Sequence, residues 1–119
     1  MANILVVDDE PDLRFILRRL FERAGHTVSE AGHGAMALEL VAATRPDLVV
    51  TDMMMPVMGG VELIRRLHAD PAAADIPILA VTGDSQLAGG ADAVLAKPYR
   101  AAQIMAAANA LLIREEDHT

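Results

Sequence analysis

Two runs, the aliphatic Ile4-Leu5-Val6-Val7 and the β-branched and aliphatic Leu48-Val49-Val50-Thr51, each stop at a carboxylate: Asp8-Asp9 after the first and Asp52 after the second. A run without polar alternation reads as a strand covered on both faces, the signature of a parallel sheet layered with helices. Ile78-Leu79-Ala80-Val81-Thr82 is another such run, and Ala93-Val94-Leu95-Ala96 a short one ending at Lys97-Pro98. Thr27-Val28-Ser29-Glu30 predicts a weaker, more exposed strand.

Helical patterns separate these runs. Leu13, Ile16, Leu17, Leu20, Phe21 and Ala24 recur at helical spacing, with Arg14, Arg18, Glu22 and Arg23 opposite and Gly25 placed to end the helix. Gly34 to Thr44 predicts a second helix with Ala35, Leu38, Val41 and Ala42 inward, broken by Pro46. After a turn over Pro56 to Gly60, Val61 to Ala69 predicts a third, with Leu63, Ile64 and Leu67 inward. Arg100 to Ile113 predicts an Ala-rich last helix burying Ile104, Ala107, Ala108, Leu111 and Leu112, and Glu115 to Thr119 reads as a frayed acidic tail.

Strand–helix alternation implies a parallel sheet with helices on both faces, and its crossovers bring all strand C-termini to one edge, where ligands bind. Asp8, Asp9, Asp52, Thr82 and Lys97 all fall at such ends, so residues distant in sequence are expected to converge. The chain has 119 residues, the common size of one domain, and 53% hydrophobic content supplies a core that 3% aromatics makes aliphatic. Without cysteine there is no disulfide framework, thiolate metal site or thiol chemistry. Ten basic residues against seventeen acidic ones give a net charge of −7, which argues against nucleic acid as a direct partner. The apolar runs are strand-sized and the start lacks a secretion signal, so no membrane association and a cytoplasmic location are expected.

Three crowded carboxylates repel one another and call for a cation or a proton. Hard oxygen ligands without His or Cys suit Mg²⁺ better than Zn²⁺ or copper. A lone lysine adds a point charge for phosphate and a threonine hydroxyl adds a donor, so the edge holds the parts for phosphoryl transfer, with a carboxylate as possible nucleophile.

Taken in order, Val6-Val7-Asp8-Asp9, Asp52 followed by Met55-Pro56 and Met58-Gly59-Gly60, Thr82-Gly83, Gly90-Ala91-Asp92 and Lys97-Pro98-Tyr99 form a set far more specific than any one of them. On these motifs the chain resembles the receiver domain of two-component response regulators, of the chemotaxis-regulator kind, over essentially its full length. The resemblance implies one receiver domain over residues 1–119. Its fold would be α/β: a flavodoxin-like, doubly wound, five-stranded parallel sheet of order 2-1-3-4-5. It implies Asp52 as phosphoacceptor, attacking the phosphohistidine of a sensor histidine kinase or histidine phosphotransfer protein. Mg²⁺ (or Mn²⁺) would be held by Asp9 and Asp52, by Asp8 directly or through water, and by the Met54 carbonyl. Thr82 would swing its hydroxyl onto the phosphoryl group and Lys97 would pair with it, a cis bond before Pro98 aiming the lysine inward. Phosphorylation would change affinity for a downstream protein and decay by slow hydrolysis.

Two features depart from the family. Lys97 follows Thr82 by only fifteen positions, so Gly83 to Gly90 must replace most of the fourth helix, which is expected shortened to a loop or single turn. Val94 stands where receivers often carry an aromatic that reports the threonine's movement, which puts the usual output face in question. Plainer readings stand beside these. Asp8-Asp9 is also a favourable acidic cluster at a helix N-terminus. Asp52 could be an ordinary strand-end carboxylate, Lys97 a surface lysine and Thr82 a strand residue. Met53, Met54, Met55 and Met58 read as local packing. His26, His33, His68 and His118 read as solvated residues of loops and tails. Phe15 and Arg18 could touch a kinase helix or simply be exposed. Two rivals remain: a phosphorylation-independent receiver-like interaction module, and a Mg²⁺-dependent phosphohydrolase, which would need a substrate pocket the chain does not suggest.

Overall fold

The aliphatic runs pair side by side. In the computed structural model, which describes residues 1–84 and 89–117, β1 (Asn3–Val7), β2 (Thr27–Ala31), β3 (Leu48–Asp52), β4 (Ile78–Thr82) and β5 (Ala93–Ala96) form one parallel sheet in the order β2-β1-β3-β4-β5. The register sets Val7 beside Ala31 and Thr51, Asp52 beside Val81, and Thr82 beside Ala96, so the strands end nearly level. The sheet order and fold class are those the resemblance implies.

Side chains alternate across the pleat and divide the core in two. Leu5, Val7, Val49, Ile78 and Ala80 face α2 (Gly34–Ala43) and α3 (Gly60–Ala69), packing on Ala37, Val41, Leu63, Ile64 and Leu67. Ile4, Val6, Leu48, Val50, Leu79 and Val81 face α1 (Pro11–Arg23) and α4 (Ala101–Asp117), packing on Leu17, Phe21, Ile104, Ala108 and Leu111. Fully burying each large aliphatic or Phe side chain is worth about 1.5–3 kcal/mol, so both layers are needed to hold the central strands. Gly25, at φ +94°, turns the chain out of α1 in a conformation other residues avoid. Among the described residues, no helix is long and apolar enough to cross a membrane.

Several expectations need correction. Ile16 fits the helical period yet is 53% exposed, because the stripe of α1 covered by the sheet and α4 is narrower, centred on Leu17 and Phe21. On α2, Ala37 and Val41 turn inward while Ala42 is exposed. The acidic tail is not frayed through its length: α4 continues to Asp117. His68 lies on α3, and two other histidines have structural partners. His33 caps α2, its Nδ1 accepting from Met36 N–H at 3.3 Å, and His26 Nδ1 accepts from Ala2 N–H at 3.1 Å. The expected loop or single turn between β4 and β5 falls partly on residues 85–88, outside the described residues, as does His118. Its described flanks, 83–84 and 89–90, are not helical.

Candidate functional site

Because β1 and β3 are adjacent and parallel, their C-terminal carboxylates meet. Asp8, Asp9 and Asp52 each offer an oxygen within 4.8 Å of the others, with Asp8 and Asp52 buried and Asp9 exposed. Lys97, beyond β5, reaches the same point, its Nζ 3.2 Å from Asp52 Oδ2. One ammonium against three carboxylates leaves the cluster short of positive charge.

The chain around these groups is anchored locally. Asp52 Oδ1 accepts from the Met53 N–H at 2.7 Å and the Met54 N–H at 3.4 Å, which fixes the carboxyl at the strand end. Asp8 Oδ1 accepts from the Glu10 N–H at 2.9 Å. Lys97 N–H donates to the Thr82 carbonyl at 2.9 Å, and the Lys97–Pro98 peptide is cis. Thr82 is buried, and its hydroxyl is engaged with its own loop: it donates to the Asp84 carbonyl at 3.1 Å and accepts from the Asp84 N–H at 3.0 Å.

The loop after Asp52 is tied to two helices. Gly60 N–H donates to the Met53 carbonyl at 3.1 Å and Gly34 N–H to the Met58 carbonyl at 2.9 Å. Met53 is buried in the core, Met55 packs against it and Met54 is exposed, so the methionines serve separate local roles. Val57, at the tip of this loop, is the one described non-glycine residue with positive φ, +67°.

Electrostatics follow from burial and crowding. Burial raises the Asp8 carboxyl above its ordinary value, the Glu10 amide opposes this, and the charge of Asp52 adds to the rise. Burial also works against the Lys97 ammonium, but the hydrogen bond and charge of Asp52 outweigh it, and the net shift is upward. Tyr99, half-buried just past Lys97, has its phenol pushed up by desolvation; Lys97 opposes this, and Asp8 and Asp52 add to it.

Tyr99 gives a direct check, because it is the only tyrosine and there is no tryptophan. Its phenolate absorbance should titrate above the ordinary 10.0 in the native protein and return there in denaturant. A folded value above the unfolded one means stability present below the unfolded value and lost as pH rises through the folded one. Lys97 acts in the same direction, so alkaline unfolding should set in above pH of about 10. Coincident native and denatured titration curves would contradict the burial of this ring.

Three hard carboxylate donors beside a single ammonium fit a small divalent cation such as Mg²⁺, with Asp8, Asp9 and Asp52 able to hold it. The Met54 backbone adjoins them on the loop. Two groups near the cluster were not singled out from the sequence for the work they do. Arg14 donates to the Asp8 carbonyl at 2.5 Å, and Glu30 binds both Arg14, at 3.3 Å, and Arg18, at 2.8 Å. No local pattern announces a bond between residues 16 positions apart. Phe15 is exposed beneath the Arg19 guanidinium, 5.7 Å from its ring centre, while Arg18 is engaged with Glu22 and Glu30.

Known proteins resemble this chain over most of its length. The response regulator receiver domain family matches residues 4–109. Response regulator MprA of Mycobacterium ulcerans (strain Agy99) is 42% identical over 120 residues, covering 95% of this chain and 51% of the relative. The DNA-binding dual master transcriptional regulator RpaA of a Synechocystis species is 33% identical over 123 residues, covering 98% of this chain and 51% of the relative. The chain thus spans about half the length of the curated relatives it matches. Among solved structures, the chemotaxis response regulator CheY4 of Vibrio cholerae superimposes with a TM-score of 0.87 at 29% identity, covering 93% of this chain and 98% of that one. The receiver domain of a signal transduction histidine kinase from Syntrophus aciditrophicus gives 0.88 at 29% identity, covering 94% and 90%. With its family match extending from the first strand into the last helix, this chain belongs to the response regulator receiver domain family of two-component signalling.

Proposed function

We propose that residues 1–119 act as one phosphoryl-accepting switch, in the cytoplasm, with Asp52 as the phosphoacceptor. The observation that carries this reading is the meeting of Asp8, Asp9, Asp52 and Lys97 at one rim of the sheet. Asp8, Asp9 and Asp52, with the Met54 carbonyl, would hold Mg²⁺ (or Mn²⁺), which when bound supplies charge neutralisation for the phosphoryl oxygens. The donor is a phosphohistidine of a sensor kinase or phosphotransfer protein. An Asp52 carboxylate oxygen attacks phosphorus, the P–N bond breaks, and its electron pair stays on the imidazole nitrogen. Water later cleaves the acyl phosphate, returning the carboxylate and inorganic phosphate.

Lys97 already touches Asp52, so its ammonium is placed to pair with a phosphoryl oxygen there. Thr82 is the second contact, and to reach the phosphoryl group it must exchange its bonds to the Asp84 backbone. That exchange is the two-state element by which phosphorylation would alter the β4–β5 connection and the affinity for a partner. The acidic balance of these residues makes a protein, rather than nucleic acid, the partner of this part of the molecule.

The test is incubation with acetyl phosphate and Mg²⁺, read by intact mass and by reductive trapping of the acyl phosphate. One phosphoryl group on Asp52, not taken up when Mg²⁺ is chelated beforehand and absent from Asp52→Asn, is the expected result. Asp52→Asn behaving like the wild type, or no uptake by either, would overturn the proposal. Partner binding that survives Asp52→Ala unchanged would favour a phosphorylation-independent module.

A further inference from the structure

Arg14 and Arg18 sit one turn apart on α1 and share a carboxylate, yet only one of them reaches the acidic rim. Glu30 on β2 receives Arg14 Nε on Oε1 at 3.3 Å and Arg18 Nη1 on Oε2 at 2.8 Å. Arg18 spends its remaining contact on Glu22, at 3.1 Å along the same helix. Arg14 instead extends Nη1 to the backbone carbonyl of Asp8. The Arg14 side chain is 19% exposed and that of Arg18 is 42% exposed. Gly32, in the β2–α2 loop, lies over the guanidinium: a Cβ built there would stand 3.5 Å from Arg14 Nη1.

We propose that Arg14 is a positioning residue for the carboxylate cluster, acting through the Asp8–Asp9 peptide. The inference rests on the reading of that cluster as a Mg²⁺ site. Asp8 is the first residue beyond β1, where the ladder still holds the backbone N–H but not the carbonyl. Its N–H donates to the Ala31 carbonyl at 3.1 Å, its Oδ1 accepts from the Glu10 N–H, and among the described residues Arg14 is the donor that meets its carbonyl. The plane of the Asp8–Asp9 peptide sets the directions in which both carboxylates leave the chain. A guanidinium can serve a carbonyl and a carboxylate at once because its donors diverge in a rigid plane, whereas an ammonium is a single point. Arg14 thereby makes the β2 edge, through Glu30, a support for the metal ligands. Removing outer groups that orient metal ligands commonly weakens affinity 10–100-fold, and a group acting through the backbone belongs at the lower end.

The experiment compares Arg14→Met with Arg18→Met in the full chain. Each loses a Glu30 ion pair, but Arg14→Met alone frees the Asp8 carbonyl. Mg²⁺ affinity is measured by calorimetry and the metal-free backbone by amide NMR. Arg14→Met should bind Mg²⁺ about tenfold more weakly and shift the Asp9 amide resonance before any metal is added, while Arg18→Met stays within about twofold and leaves that resonance in place. Arg14→Met binding as the wild type does, or Arg18→Met weakened equally, would overturn the inference. Should Arg14→Met fail to fold, Glu30→Gln loosens the same anchor: a weakening of a few-fold is expected, and unchanged binding counts against the role. A wild type that binds no Mg²⁺ would remove the metal-site reading instead. The metal-free Asp9 resonance then still decides on Arg14: moved by Arg14→Met alone in support, unmoved in refutation.

Discussion

Gly60→Ala should cost the protein about 2 kcal/mol of stability and weaken Mg²⁺ binding together. A Cβ built at Gly60 falls 2.5 Å from Met53 Sδ, 2.8 Å from the Asp52 carbonyl oxygen and 2.8 Å from Met53 Cα. The thioether can swing aside. The backbone of Asp52 and Met53 cannot do so without moving the carboxylate at the end of β3. Overpacking of this kind costs about 1–3 kcal/mol, and backbone contacts belong at the upper end. Alanine in a helix returns at most about 1 kcal/mol over glycine, and less at the first position of α3, so the clash wins. Gly83→Ala is the control, because among the described residues nothing lies within 4 Å of its Cβ position. Urea unfolding and Mg²⁺ titration of both variants decide the matter. Gly60→Ala matching Gly83→Ala in stability, within about 0.5 kcal/mol, would show that α3 does not press on the strand end as described.

Lys97→Met should destabilise the metal-free protein and make it depend on the cation. The Lys97 side chain is 30% exposed and that of Asp52 is 8% exposed, so the pair is largely withdrawn from water. Removing one partner of a buried pair costs about 3–5 kcal/mol; solvent at the ammonium end reduces this to about 2 kcal/mol here. Asp8, already raised by burial and by the charge of Asp52, would rise further without the ammonium that opposes it. A carboxyl with a raised folded value binds its proton more tightly when folded, so stability falls as pH climbs from its unfolded to its folded value. The variant should therefore approach the wild type in acid and fall furthest behind near neutrality. Mg²⁺ should recover more stability in Lys97→Met than in the wild type, because the ion neutralises charge the ammonium no longer offsets. Equal stability of the two proteins in metal-free buffer at neutral pH would show that the ammonium does not balance the cluster.

Much of this was legible in the chain because the fold converts strand ends into neighbours. Asp8 and Asp9 directly follow one aliphatic run and Asp52 closes the strand built on another, and parallel pairing with helical crossovers leaves one edge for them to share. Lys97 was marked by being the sole lysine, directly before a proline. Helix faces were less legible. Ile16 satisfies the same spacing as Leu17 and Leu20, and only the line along which α1 crosses the sheet decides which of them is covered. His33 has no local pattern of a cap, since histidine rarely serves as one, yet its ring accepts from Met36. The bond from Arg14 to the Asp8 carbonyl, and its anchoring on Glu30, join three elements whose mutual tilt no residue spacing specifies.

The order of apolar runs and helical patterns was enough to determine the sheet, its two covered faces and the rim where the acidic residues gather, because periodicity and crossover handedness act on every residue of those elements alike. Only the packed molecule decided how that rim is held: which arginine of α1 turns toward it, how closely α3 presses on the end of β3, and where the Thr82 hydroxyl rests. Those outcomes depend on distances of a few tenths of an ångström between elements, which are set by the shapes of side chains meeting across the core.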